Sequence, residues 1–477
     1  MANASDPLVT SSCADTQQAQ PSSPEQGATS DRLQGLAAHQ VPRRYAQPHQ
    51  LMRSTVLEDE QGLRVQAVFP ANTLLDLQRL REDGPQWRAI SPQQRQSILD
   101  KYHLQSLPAL PELLEMPLWI DERVLKADKI FIESGDPRQL LEFSPSEYAH
   151  LLETSPQIEH AIFAVPLAET RPNLNAPHND EEEIRQAIET ITSRRIRARL
   201  EESIEIAPLP VSAQSILELH TQEEASNAEL ASVIESDPSL ASQVISWANS
   251  PYYGVPGSIR SIHDAVIRVL GYDLTMNLAL GLAMGRHLQM PSDGVHGYQS
   301  YWRDAVRRAL LVETLVKKIQ PVHRPYTGLS YLAGLLHNFG YLVLAEVFPP
   351  YFSLYCRYQE ANPHVPPMYL ERFLFGITRE QIASHLFQAW GLPEEVCIAV
   401  RQQYNPAYVG KHHKYANLLY LAHQLLHPYM EHQFERLPLA LYERLHLQAV
   451  EAKEVLAHLQ NLEGELDTLV HMLEKHH

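Results

Sequence analysis

Cysteine is scarce in this chain, with three among 477 residues. Cys13, Cys356 and Cys397 form no CxxC pair, which counts against a disulfide framework and fits a reducing compartment. Long apolar runs are scarce as well. None approaches the roughly 18 residues of a membrane-spanning helix, and the longest, Leu278–Met284, is broken by Gly281 and followed by Gly285-Arg286-His287. The N-terminus lacks a basic-then-apolar signal pattern. Positive charge is in deficit: 39 Lys and Arg against 57 Asp and Glu leave a net charge of −18. That balance counts against non-specific binding to nucleic acid or to an anionic membrane. No GxxxxGK loop ending in Ser or Thr, GxSxG elbow or HExxH motif occurs, so P-loop, esterase and zincin chemistries have no residues to rest on. A cytoplasmic protein is expected.

The chain is long enough for two to four domains, each with its own core. Residues 1–40 are rich in Ser, Gln, Ala, Pro and Thr and bury too little to offset the entropy of ordering, so they read as a disordered tail. Residues 41–166 read as mixed α/β. Leu63–Pro70, Leu118–Asp121, Lys129–Glu133 and His160–Val165 predict strands, and Thr73–Arg81 predicts a helix from Leu74, Leu75, Leu77 and Leu80. Ser134-Gly135-Asp136-Pro137 marks a turn, and Pro145 opens a helix. Residues 167–200 are a Pro/Asn-rich acidic linker and a charged lead-in helix from Ile184, whose Arg194–Arg199 run reads as a solvated face.

Residues 201–426 are helical by periodicity throughout. Ser226 and Glu229 form a capping box, Asp237-Pro238 a helix start, and Ser261 a cap for a helix that Gly271 stops. Further helices are expected over Tyr301–Ile319, Leu329–Phe348, Thr378–Trp390 and Glu394–Tyr404. Residues 427–477 form a C-terminal helical segment with leucines among charges. The fold class is therefore multidomain, an N-terminal mixed sheet with helices followed by an all-α bundle.

The order Leu107-Pro108, Pro117–Glu122, Ile130–Asp136 and Phe143-Ser144-Pro145 resembles the YbaK/ProX-type aminoacyl-tRNA deacylase domain. That resemblance implies a lysine near the first strand and a Gly-x-x-Pro-Phe loop. Here those places fall on Arg53 or Ser54 and on Gln105–Ala109, which keeps the proline alone. The resemblance therefore implies a fold kept for binding.

The helical part resembles the HDOD domain, a relative of the HD and HD-GYP phosphohydrolases. The matching residues are Leu209-Pro210, Ser236–Leu240, Ala248-Asn249-Ser250, Tyr253-Gly254, Ser261–Val266, Leu270-Gly271, Tyr301-Trp302-Arg303, Gly334–His337 and Trp390–Pro393. An active relative would hold divalent metal through histidines and carboxylates on converging helices. By that resemblance the ligand places fall on Asp304, the pair His337-Asn338, Arg379, Gln403 and its neighbours, and His423. Asn338 stands where a carboxylate is needed, and a neutral amide is a weak ligand. Arg379 puts a cation where metal would sit. Asp304 pairing with Arg379 or His423 is one way to fill such a cavity. The adjacent histidines His412-His413 and His476-His477 read as solvated pairs.

The resemblance implies a bacterial signalling scaffold with no catalytic residue, no metal and no cofactor, binding a protein partner or a small ligand such as a nucleotide. Vestigial positions are Asp304, His337, Asn338, Arg379, Gln403 and His423, and the candidate binding loop is Asn249, Ser250 and Tyr253. Against it stand metal-dependent phosphodiester hydrolysis in the helical domain and aminoacyl-tRNA deacylation in the N-terminal one. No membrane and no nucleic acid are expected as partners.

Overall fold

The structure is a computed structural model that describes residues 39–81, 86–111, 113–153, 157–175, 177–197, 208–222, 225–254, 256–285, 298–426 and 437–474. The expected tail lies outside the described residues up to residue 38, as do the histidines at 476 and 477. Two compact units are present: residues 1–72 with 77–164, and residues 73–76 with 165–477.

The first unit is built on a five-stranded sheet in the order β5-β2-β3-β6-β9. Its strands are β2 (Met52–Glu58), β3 (Arg64–Pro70), β5 (Arg88–Ala89), β6 (Leu118–Asp121) and β9 (Ile158–Ala161). β2 runs antiparallel to β3 and β5, whereas β3, β6 and β9 are parallel. A three-stranded antiparallel sheet joins β1 (Gln40–Pro42), β8 (Gln139–Phe143) and β7 (Ile130–Glu133). Helices α1 (Pro92–Lys101) and α2 (Pro145–Glu153) cover the sheets. One core gathers Val68, Ile120, Ile132, Leu141, Tyr148 and Leu152, and a second packs Val56 against Ile98, Leu99, Leu104 and Leu114. Tyr148 reaches its core position because its hydroxyl donates to the Ala109 carbonyl at 2.6 Å.

Two expectations fail here for identifiable reasons. Residues 160–165 are not one strand: β9 ends at Ala161 and a separate strand β10 covers Ala164–Pro166. The Phe163 and Ala164 amides between them donate to the buried Asp121 carboxylate, at 2.9 and 2.7 Å, and so leave the ladder. Thr73–Arg81 is not a helix. It holds the short strand β4 (Thr73–Leu75), paired with β10, and a 3-10 turn at Arg79–Arg81. Within the second unit, Asn362 bonds both backbone groups of Leu75, at 2.6 and 3.0 Å, and His364 bonds the Thr73 carbonyl at 2.9 Å. Backbone groups bonded sideways are not available for a helical ladder.

The second unit is otherwise helical. In chain order it contains α3 (Asp180–Arg197), α4 (Val211–His220), α5 (Asn227–Glu235), α6 (Pro238–Ala248), α7 (Ile262–Ala265, continued by a π turn to Leu270) and α8 (Tyr272–Gly285). There follow α9 (Tyr298–Lys318), α10 (Thr327–Leu336), α11 (Phe339–Val347), α12 (Pro349–Ala361) and α13 (Pro367–Phe375). The last are α14 (Arg379–Ala389), α15 (Glu394–Gln402), α16 (His413–Leu426), α17 (Leu439–Leu445), α18 (Ala449–Asn461) and α19 (Glu463–Glu474). The Ser226 capping box, the Asp237 cap and the Ser261 cap form as their residues demand.

The expected helix Leu329–Phe348 is two helices, α10 and α11, divided at His337-Asn338. Thr327–Val347 is nevertheless apolar and long enough, by composition, to cross a membrane, which inspection for unbroken apolar runs misses because Gly, Ser and Tyr punctuate it. Its most apolar window is entirely buried inside the unit. The acidic stretch expected to be linker also behaves differently from its composition. Asp180 opens α3 and accepts from Arg401 and, at 2.8 Å, from Gln381, while Glu183 pairs with Arg372 at 2.7 Å. Buried Arg401 needs a counter-charge, and Asp180 at a helix N-terminus supplies it.

Candidate functional site

The site forms where α9 meets the elbow between α10 and α11. Asp304 and Arg308 stand one turn apart on α9, so they share a face. Gly334 on α10 permits the helices to touch, because a Cβ there would lie 2.7 Å from the Ala309 Cα. Three residues later His337 ends α10, close enough for its Nε2 to lie 3.0 Å from an Asp304 carboxylate oxygen. The same oxygen accepts from the Asn338 amide at 2.6 Å. His337 Nδ1 faces the Gly334 carbonyl at 2.7 Å, and Gln403 donates to the His337 carbonyl at 3.0 Å. A neutral ring has one N–H for these two acceptors, and which nitrogen bears it follows from the hydrogen-bond network.

The electrostatics of the pair are opposed. Burial and the Arg308 guanidinium push His337 down to about 4, while Asp304 pulls it upward. Burial works against the Asp304 charge, yet Arg308, His337 and Asn338 together hold its carboxyl well below the usual carboxylate range.

Arg379 enters from the first turn of α14, whose start is fixed by a capping box between Thr378 and Gln381. A cation there opposes the helix dipole, and its burial at 3% exposure adds a desolvation cost. Four contacts offset these costs. Nε donates to Glu380 at 2.8 Å, Nη2 donates to the Tyr404 hydroxyl at 2.7 Å, Nη1 lies 3.4 Å from Glu371, and the guanidinium sits 4.1 Å above the Tyr341 ring. Burial and Glu380 push the Glu371 carboxyl well above its ordinary range, although it accepts from Tyr355 at 2.8 Å and from the Arg379 amide at 3.0 Å. Gly340 completes the packing, since any Cβ there would collide with the Arg379 carbonyl oxygen.

His423 on α16 stands edge-on to the Tyr404 ring, centroids 4.8 Å apart, with its Nδ1 3.3 Å from Arg308 Nη2. Arg308 lies 3.7 Å from the second Asp304 oxygen. All six vestigial positions therefore fall in one cluster, linked through Arg308 and Tyr404. The pairings differ from those expected. Asp304 is held by His337, Asn338 and Arg308, and Arg379 pairs with the glutamates. Arg308 is the residue that sequence reasoning missed; its signal was the Asp304/Arg308 spacing, which reads equally as a solvated helix pair.

The second predicted group has another use. Asn249 staples the end of α6 to the following loop, donating to the Ile245 and Ile259 carbonyls at 2.9 and 2.7 Å and accepting from the Ile259 amide at 2.7 Å. Ser250 is buried, and the Tyr253 hydroxyl accepts from Trp247 at 3.2 Å. Among the described residues, these three share no hydrogen bond or ion pair with the Asp304 cluster.

The donor set does not fit a divalent metal. His337 Nε2 and the Asn338 amide both face Asp304, and the Arg308 guanidinium lies 3.7 Å from the same carboxylate. Among the described residues no three His, Cys, Asp or Glu side chains gather where they could hold a metal ion.

Fold and site together define a helical bundle in which a buried histidine, paired with an aspartate, stands beside a buried arginine. The chain belongs to the HDOD family. The HDOD domain model matches residues 206–406. The crystal structure of a candidate signal transduction protein from Marinobacter aquaeolei VT8 is 38% identical, covers 94% of this chain and 99% of its own, and superposes with a TM-score of 0.82. An HDOD domain protein of unknown function from Geobacter sulfurreducens shares 19% identity, over 61% of this chain and 98% of its own, with a TM-score of 0.50; that likeness speaks for the fold alone. An uncharacterized protein of Treponema pallidum (strain Nichols) is 25% identical over 227 residues, 48% of this chain. The chain spans 43% of that relative's length.

Proposed function

We propose that the helical unit is a non-enzymatic regulatory module of a bacterial signalling pathway, binding a protein partner or small ligand at the Asp304–His337–Arg379 cluster. The observation that carries this reading is the position of His337 Nε2. The nitrogen that would ligate a metal is 3.0 Å from Asp304, on a carboxylate already held by an amide and near a guanidinium. Metal-assisted hydrolysis needs a Lewis acid and an activated water, and here the imidazole nitrogen and the carboxylate that would hold the metal are engaged with each other. The 38% identity to a candidate signal transduction protein supports the signalling context.

The first unit, in this reading, keeps a deacylase-like fold for binding. Arg53, at the place of the expected lysine, lies 3.3 Å from Glu133, and Ser54 accepts from Gln66, which also donates to the Pro108 carbonyl at 2.8 Å. Groups so engaged are not poised to hold an ester. A cytoplasmic setting is supported by the buried free thiols of Cys356 and Cys397.

The test is elemental mass spectrometry of untagged full-length protein beside His337→Ala, together with hydrolysis of a generic phosphodiester in added manganese. The reading predicts no stoichiometric metal and no turnover in either sample. Bound manganese, iron or zinc that disappears in His337→Ala, with turnover lost alongside it, would replace the reading with phosphodiesterase chemistry.

A further inference from the structure

We infer that the Arg308 side of this cluster is a metal-independent binding site for a phosphate-type oxyanion, either inorganic phosphate or the phosphoryl group of a nucleotide. The inference deepens the regulatory reading above and rests on it.

Arg308 is 4% exposed and carries five N–H donors. Its Nη2 faces His423 Nδ1, while Nε and Nη1 have no hydrogen-bond partner among the described residues. Asp304 is its one ion-pair partner among those residues, at 3.7 Å, beyond hydrogen-bonding distance. Arg379 is better provided for: Nε and Nη2 are hydrogen-bonded, and Nη1 lies 3.4 Å from Glu371. Buried cationic donors lacking acceptors are costly in a folded protein. An anion rich in acceptors removes that cost at Arg308.

Access and chemistry agree. The floor is buried, made of Arg308, Arg379, His337 and Gln403, while the Asp304 side chain is 42% exposed and Tyr404 and His423 are partly exposed. Solvent therefore reaches the edge of the cluster at Asp304. Tyr404 marks the point where the two arginines converge: burial pushes its phenol up, and Arg379 and Arg308 both pull it down. Donors reaching in from α9, α14 and the chain after α15 favour a tetrahedral oxyanion over a carboxylate, and guanidinium groups bind such oxygens well. In a metal enzyme the phosphate charge is met by the metal; here the Arg308 guanidinium would meet it. Asp304 is the competitor, since it occupies the anion's place beside Arg308.

The experiment is isothermal titration calorimetry of the full chain in EDTA, with inorganic phosphate, guanosine monophosphate and guanosine as separate probes. Saturable binding of phosphate or the nucleotide, with none for guanosine, is expected, and the tighter of the two identifies the source. Arg308→Lys keeps the charge but loses the planar donor array and should weaken binding at least about tenfold, whereas Asp304→Asn should tighten it about tenfold. If Arg308→Lys fails to fold by circular dichroism, Tyr404→Phe takes its place, with weakening again expected. Absence of binding in both wild type and Asp304→Asn overturns the oxyanion site and leaves the regulatory reading standing. Binding that is unchanged by the Arg308 or Tyr404 variant also overturns it. Binding or turnover that appears only with added manganese overturns both.

Discussion

Gly334 and Ala309 meet at backbone distance, and that contact sets the reach of His337 to Asp304. Gly334→Ala places a methyl 2.7 Å from the Ala309 Cα, with main-chain atoms that cannot swing aside. The expected loss is about 1–3 kcal/mol of stability from overpacking. Chemical denaturation measures it. The His337 ring resonances should shift in the same variant, whereas Gly464→Ala, which meets open space, should do neither.

Acid should destabilise the helical unit through His337. Its pKa is depressed from 6.5 to about 4 in the fold, so the unfolded chain takes up a proton first. The stability held by the neutral ring is full above pH 6.5 and is lost as pH falls toward 4. The loss is on the order of 3 kcal/mol. Asp304, also depressed, adds to it in the same direction at lower pH. Denaturation of wild type and His337→Gln at pH 7, 5.5 and 4.5 should show a steeper fall in the wild type. A wild type that grows more stable toward pH 5 would mean that the ring is an imidazolium between its two acceptors.

Removing the Arg379 guanidinium should be severe. Arg379→Met leaves Glu380 buried without its cation, and breaking such a pair costs about 3–5 kcal/mol. The double variant Arg379→Met with Glu380→Gln should recover part of that loss, because the stranded charge goes too. Equal stability of single and double variants in urea denaturation would show that Glu380 is not the partner that matters.

Asp180→Asn should release the chain ahead of α3. Asp180 is the acceptor for Arg401 and Gln381, and Arg401 also donates to the Asn173 carbonyl at 2.9 Å. Limited proteolysis should cut within residues 167–183 at least about tenfold faster in the variant, as local opening becomes easier. Unchanged cleavage would mean that this ion pair does not hold the segment.

Much of this architecture was written locally. Ser226 with Glu229, Asp237 with Pro238, and Ser261 each satisfy backbone donors within three residues, so a helix start could be read from a few letters. Thr73–Arg81 could not, because the groups that straighten it belong to Asn362 and His364, far along the chain. The site shows the same division. A His-Asn pair inside an apolar run announced a polar spot in the core, but not the elbow, and the resemblance pointed to Asp304 without pairing it with His337. Arg308 stayed hidden because an arginine one turn after an aspartate is ordinary on a wet helix, and only the third dimension shows that Arg308 itself is buried.

Gly340 lies directly against the Arg379 carbonyl, with no side chain to act as a cushion. The elbow that carries His337 and the strand of chain that carries Arg379 therefore move as one hard joint. Any shift of the Arg379 main chain must therefore carry the start of α11 with it, since no side chain stands between them to take up the movement.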